Sequence, residues 1–415
     1  AKLLNSNGLQ ASLLRQYVDF IAAMAVYALV DRSLNLIHCR VPPHLIGMFA
    51  IFAILSVLSA AGNEAFVDTV IKLLSPATAF IARFLPVFYI PNLVVLPLVF
   101  SKQDFGAAVY AKLGLIICCG IPFSLYLTAG LVSAVRSIAK VSNLAVEVVP
   151  NVSPCSVTHA MVLGTMALFS FVGAALLPDG PAQRAAVSFF LLAATVSGML
   201  IEMAPQSLQK IVLHPAIACL VTGLLGCYVV GVITHSSFMS AQQMYITHAG
   251  DIAVMGGGDW LMIGLGPVLL SFGIHMYQER LHLFRHWLEL VIGAAGASLG
   301  SLVATTATGR LLGLPPLVSL AIAPRSITVA LALPIGKALE VPEDLLAITG
   351  SAVVCTGLLG GAIFLYLLKA GGITDPVTRG FATGSAAMGM GTATLAKVEA
   401  FSLPFGALAY GLVGI

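Results

Sequence analysis

Apolar runs of roughly twenty residues follow one another along most of the chain, divided by short stretches rich in glycine, proline and charge. Such runs predict membrane-crossing helices, because a barrel would show ten-residue strands of alternating polarity instead. A first block predicts four spans, near 17–37, 44–62, 66–100 and 108–136. The third is expected to be bent or re-entrant, since Pro76, Pro86, Pro91 and Pro97 interrupt it. The stretch 137–156 mixes polar residues with two prolines and reads as a linker or surface helix. A second block predicts spans near 157–177, 185–204, 212–235, 260–277, 287–309, 315–336, 345–369 and 378–395, with an apolar tail over 401–415. Residues 236–259 form the longest polar stretch between spans and are expected to be a mobile loop.

Composition agrees with this pattern. The 415 residues are 59% hydrophobic and 9% charged, against about 25% charged in a soluble domain. The fold class is therefore an all-α polytopic membrane protein of about twelve transmembrane helices. A net charge of +3, with basic residues scattered at span ends, offers no nucleic-acid patch. The seven cysteines lie mostly in apolar segments without C-x-x-C spacing and read as small buried hydrophobes, so neither metal nor disulfide is expected. The chain opens Ala-Lys-Leu-Leu, and a targeting or expression segment is expected to precede it.

Three segments carry the wrong chemistry for plain spans. Ala323-Pro324-Arg325-Ser326-Ile327-Thr328 places a cation beside a proline inside an apolar run. A charge at such depth is costly and marks function by default, while the proline removes one helical hydrogen bond. Residues 265–280 insert Gly266-Pro267 and then align Ser271, His275 and Glu279 on one helix face. Residues 382–395 string Gly384, Gly389 and Gly391 among Thr383, Ser385, Thr392 and Thr394. Gly266-Pro267 and Ala323-Pro324 are taken as paired broken helices of an inverted-repeat transporter, the alternative being a proline kink filled by neighbouring helices. The glycines of 382–395 have two readings, close helix packing or an unwound backbone lining a site.

A small carboxylate is the ligand these groups suit. Arg325 offers a planar fork, and the turn at Ser326 and Thr328 offers backbone N–H groups with a dipole of the right sign. Ser271, Thr383, Ser385 and Thr392 could meet hydroxyls. Arg325 could instead pair a structural carboxylate or cap carbonyls. His275 and Glu279 are candidate proton carriers, or else mark the interfacial end of a span. Glu202 and Arg83 read as interfacial or interhelical partners, and Asp259 as a helix cap. Gly296-Ala297-Ser298-Leu299-Gly300 matches a hydrolase elbow in letters, but the segment reads as continuous helix whose Gly293, Gly296 and Gly300 form one packing face.

The second half, over about 210–415, resembles the LrgB/CidB family through APRSITVALALPIGK, ITDPVTRGFATGSAAMGMGTA and LGPVLLSFGIHMYQER. The first half resembles the LrgA/CidA family in VPPHLIGMFAIF and LPVFYIPNLVVLP. A fusion of the two is similar to the plastidial glycolate/glycerate translocator family of plants and algae, and GRLLGLPP and LPFGALAYGLVGI support that match. Met388 stands where that family usually has histidine, and Ala386 where it commonly has serine. The resemblance implies an LrgA-like scaffold over 1–136, a linker over 137–156 and an LrgB-like transport domain of about eight spans over 157–415. It further implies a transporter without cofactor, catalytic residue or metal, exchanging glycolate and glycerate across the chloroplast inner envelope. A homodimer contacting membrane lipid, and no nucleic acid, is expected. The rival expectations are a holin-like pore or regulator of murein hydrolase export and, more remotely, an intramembrane hydrolase using Ser298.

Overall fold

A computed structural model describes residues 22–30, 32–33, 43–84, 87–101, 105–139, 157–205, 215–247 and 251–413. Most of the expected linker and about half of the expected first span, with Cys39 and Cys155, lie outside these residues. Every regular element among them is helical: α1 (Pro43–Ala60), α2 (Glu64–Phe84), α3 (Ile90–Val94), α4 (Leu96–Ser101), α5 (Ala107–Ala139), α6 (Val157–Leu176), α7 (Pro181–Ser197), α8 (Pro215–Ile233) and α9 (Phe238–Tyr245) come first. They are followed by α10 (Gly257–Ile263), α11 (Leu265–Gln278), α12 (Arg280–Arg285), α13 (Trp287–Leu311), α14 (Pro316–Ala321), α15 (Val329–Ala338), α16 (Glu343–Ala370), α17 (Pro376–Val398) and α18 (Leu403–Leu412).

The protein is a multi-pass, all-helical membrane protein, with seven helical runs among the described residues long and apolar enough to cross a bilayer. That number is below twelve partly because some expected spans are divided. The proline-rich 66–100 splits into α2, a 3-10 turn at Val87–Tyr89, α3 and α4, and 315–336 splits into α14 and α15. The stretch 236–259 differs from the expected loop. It holds α9, a 3-10 turn at Ile252–Val254 and the start of α10, with Ser237 capping α9 by accepting from the Ser240 N–H at 3.1 Å. Polar helix starts, each with its own cap, look like loop in sequence.

The chain forms two compact units. One joins the residues up to Leu85 with Leu265–Phe284, and the other joins Pro86–Gly264 with Arg285–Ile415. In the first, α1 packs on α11, where the missing side chain of Gly273 leaves room for the Met48 carbonyl. The rings of Phe52 and Phe284 lie 6.4 Å apart in the same unit.

In the second unit α5 is the central helix, packed by α13, α16 and α17. Its Leu113, Ile116, Ile117 and Ile121 recur at helical spacing and join Val318, Ile322, Leu345 and Ile348 in one apolar cluster. Further along, Leu125 and Ala129 meet Phe364, Leu368, Ala382 and Ala386. The glycine face of α13 lies on α5, since a β-carbon at Gly296 or Gly300 would run into Leu131 or Leu127. That segment is helix throughout, so Ser298 has no strand-to-helix elbow to sit on.

Candidate functional site

Two helix breaks meet in the second unit. At the first, α14 ends at Ala321 and the chain passes through turns before α15 begins at Val329. The N–H groups of Ala323, Arg325 and Ile327 bond the carbonyls of Leu320, Ile322 and Pro324 at 3.1 Å, as tight turns do. Pro324 has no N–H to continue a helix, which accounts for the break where the sequence placed it. Thr328 is the N-cap of α15, yet its hydroxyl makes no capping bond. It has no hydrogen-bond partner although the residue is only 4% exposed.

The second break lies within α17 at Met388, whose φ of 51° and ψ of −144° belong to a region that side chains rarely adopt. The Thr392 hydroxyl donates to the Met388 carbonyl at 2.9 Å and so satisfies an acceptor beside the break. Thr328 and Val329 from the first break, and Met388, Gly389 and Met390 from the second, line one small, almost wholly apolar cavity of about 20 Å³ together with Tyr89 and Tyr410. Two helix starts, each the positive end of a helix dipole, therefore border the same space.

Arg325 is buried beside the first break, only 1% exposed. Its Nε donates to Thr305 Oγ1 at 3.0 Å, and its Nη2 donates to the Gly120 carbonyl at 2.8 Å and to Ser124 Oγ at 3.1 Å. All three acceptors are neutral, and Nη1 has no partner. The Ser326 hydroxyl donates to Ser301 Oγ at 2.5 Å. Arg325 thus ties α5 and α13 to the break while its charge meets no carboxylate among the described residues. In a water-excluded interior such a charge acts at longer range than at a surface.

The remaining candidates divide. Thr383 donates to the Arg379 carbonyl at 2.8 Å, and Ser385 donates to Thr128 Oγ1 at 3.0 Å and to the Phe381 carbonyl at 2.9 Å, so both hydroxyls are engaged within the helix packing. Gly384 lets α17 approach the Gly406 carbonyl of α18, whereas Gly389 lines the cavity; each reading of the glycines holds at a different position. A β-carbon at Gly391 would meet Ala387 and Thr383. Ser271, His275, Glu279, Gly266 and Pro267 belong to the other compact unit. There Gly266 and Pro267 occupy the first turn of α11, where a proline costs no hydrogen bond. Ser271 donates to the Val268 carbonyl at 2.7 Å. Glu279 lies 3.7 Å from His282, and burial pushes its carboxyl above the usual carboxylate range. Asp259 does act as a cap, its Oδ2 accepting from the N–H groups of Gly256 and Thr247 at 2.9 Å.

Sequence reasoning missed Gly120, Ser124, Ser301, Thr305, Tyr89 and Tyr410. A signal existed for four of them: Gly120 with Ser124, and Ser301 with Thr305, stand at i, i+4 on otherwise apolar helices, a small polar face where packing alone would favour alkyl groups. Nothing in the sequence linked Tyr89 to Tyr410, whose hydroxyls bond each other.

Plastidal glycolate/glycerate translocator 1, chloroplastic, of Arabidopsis thaliana is 37% identical over 381 residues, 91% of this chain and 72% of the translocator. No solved structure matches the chain. The sequence model of the LrgB-like family matches residues 199–415, which contain both helix breaks, Arg325 and Tyr410. With more than half its length and the whole of both breaks inside that match, the chain belongs to the LrgB-like family.

Proposed function

We propose that the protein is a secondary transporter that exchanges glycolate and glycerate across the chloroplast inner envelope by alternating access. The observation that carries this reading is the cavity shared by two positive helix ends, with the uncompensated charge of Arg325 beside the first. A carboxylate suits such a place: it accepts from several N–H groups at once and lowers the cost of the buried cation. The kinship with a translocator supplies the cargo, two small hydroxy acids. Broken helices supply a plausible moving part, since each half can tilt without stretching a continuous hydrogen-bond ladder. Residues 157–415 would carry both helix breaks, with Thr328 bordering the carboxylate and Arg325 and Ser326 supplying charge and support beside it; from the first segment Tyr89 would line the same cavity and Gly120 and Ser124 hold Arg325, the rest of 1–136 acting as scaffold and dimer surface.

Counter-flow in liposomes tests the proposal. Uptake of labelled glycolate should saturate, and it should accelerate when the lumen is preloaded with glycerate. Uptake proportional to concentration and indifferent to preloading would instead favour the holin-like pore.

A further inference from the structure

We infer that the two helix breaks are the tips of two re-entrant hairpins that enter from opposite faces of the membrane, and that each hairpin is the gate for its own face. The gating rests on the transport reading above; the hairpins rest on contacts alone.

The break at Met388 reverses the chain. Arg379 Nε donates to Glu399 Oε2 at 2.7 Å, although a straight helix would hold residues twenty positions apart about 30 Å from each other. A β-carbon at Gly391 would stand 2.8 Å from the Thr383 methyl, so residues 389–398 return beside 376–387. The break at Arg325 reverses the chain as well. Ser319 lies against Gly309, and Ser326 bonds Ser301, so the first arm runs back along α13. The second arm, α15, then leaves along α16: Val329 shares the cavity wall with Val353, and Gly336 lies against Leu346 and Thr349.

The long helix α5 shows where each hairpin enters. Near its start, Lys112 Nζ donates to the Gly313 carbonyl at 3.5 Å, and Leu113 shares one apolar cluster with Leu314 and Val341, which flank the first hairpin. At its end, Arg136 lies 3.1 Å from Asp375, which opens the second hairpin. About 36 Å of helix separates Lys112 from Arg136, enough to cross the hydrocarbon core. Between them, Gly120 and Ser124 meet Arg325, and Thr128 meets Ser385, so the two tips approach the middle of α5 from opposite ends. Non-helical backbone at that depth is tolerated where protein encloses it, and here each tip helps to enclose the other.

The space left between the tips is about 20 Å³, room for about one water molecule. A two-carbon acid therefore reaches the helix starts only when a tip withdraws. Both arms of a hairpin end at one face, so its displacement opens a passage to that face, while the long apolar helices α5, α13 and α16 remain as the frame. Opening the first hairpin exposes the site at the Lys112 end, and opening the second exposes it at the Arg136 end.

Single cysteines in the full chain and a membrane-impermeant thiol reagent test this in vesicles of one orientation, labelling being read over the unsubstituted chain. Leu311→Cys and Ala338→Cys, at exposed positions flanking the first hairpin, should label from one face, and Ala370→Cys and Val398→Cys, flanking the second, from the other. Labelling of the two ends of one hairpin from opposite faces, or of all four positions from the same face, overturns the inference. Val353→Cys, on the cavity wall, reads the gates and should label slowly from both faces. Ser385→Cys combined with Thr128→Cys replaces two hydroxyls 3.0 Å apart and, once oxidised, pins the second hairpin to α5. Labelling of Val353→Cys should then vanish from the Arg136 face, persist from the Lys112 face and return on reduction. Labelling that persists from the Arg136 face with the disulfide formed, that vanishes from both faces, or that never occurs overturns the inference. Side-specific labelling in a chain without counter-flow sinks the transport reading alone, whereas normal counter-flow with the wrong labelling pattern sinks only the gates.

Discussion

The buried guanidinium of Arg325 is held in place by atoms that carry no charge, and one of those atoms belongs to a glycine. The Gly120 carbonyl accepts from Nη2 at 2.8 Å, and a β-carbon at that position would collide with the guanidinium itself. The space is needed because α5 passes directly over the arginine, so Gly120→Ala must displace either the helix or the cation. Forcing a methyl into a filled interior costs typically about 1–3 kcal/mol. Gly114 on the same helix is the control, because nothing lies within 4 Å of its absent β-carbon. Thermal unfolding in detergent should show a clear loss for Gly120→Ala and little change, within about 0.5 kcal/mol, for Gly114→Ala; equal midpoints for the two would remove Gly120 from the arginine's support. Arg325 was legible in the sequence because a charge in an apolar run is rare. Its partners were not, since Ser124, Ser301 and Thr305 resemble the many hydroxyl residues that merely bond their own helix, as Thr306 does to the Leu302 carbonyl at 2.9 Å.

At the scale of elements, the break at Pro324 was visible to the residue, whereas that in 382–395 was visible only as a glycine-rich segment open to unwinding, without Met388 as its place. Proline announces itself by chemistry, whereas the segment 382–395 offers several glycines and the chain turns at a methionine instead. Only packing, with Tyr89 and Tyr410 against Gly389 and with α18 against Gly384, decides which residue takes the unfavourable backbone. The ends of these helices are tied by charge. Arg136, in the last turn of α5, lies 3.1 Å from Asp375, the N-cap of α17, and 3.7 Å from Glu289 in the first turn of α13. Glu289 is 1% exposed and lies 3.1 Å from His286 Nδ1. Removing the cation leaves the buried carboxylate with His286 as its near partner, and breaking a buried pair from one side costs up to about 3–5 kcal/mol. Arg136→Ala should therefore lower the unfolding midpoint strongly, and adding Glu289→Gln should restore much of the loss, because the neutral amide no longer needs the cation. Strict additivity of the two changes in a double-mutant cycle would mean that the pair does not interact.

Across the whole molecule, the succession of apolar runs was enough to read an all-helical membrane protein, and the positions of the spans from 157 onward follow the expected ones closely. What sequence could not supply was which helices share a compact unit: Leu265–Phe284 joins the early residues although α10, immediately before it, belongs with the later ones. Such pairings depend on shape and on isolated glycines, not on hydropathy. Hydropathy does fix which surface must meet lipid, and α6 is the clearest instance. Only 6% of its apolar window is buried, and Phe169 near its middle is 77% exposed. If α6 crosses the bilayer, that ring faces hydrocarbon, and Phe169→Arg places a guanidinium there at a cost of about 2.5–3.5 kcal/mol on the insertion scale. Glycosylation mapping in microsomes should then show a smaller inserted fraction of α6 for Phe169→Arg, while Phe169→Leu inserts as the unchanged sequence does. An arginine tolerated without loss of insertion would put this face of α6 against water or protein, since snorkelling reaches the interface readily only from helix ends.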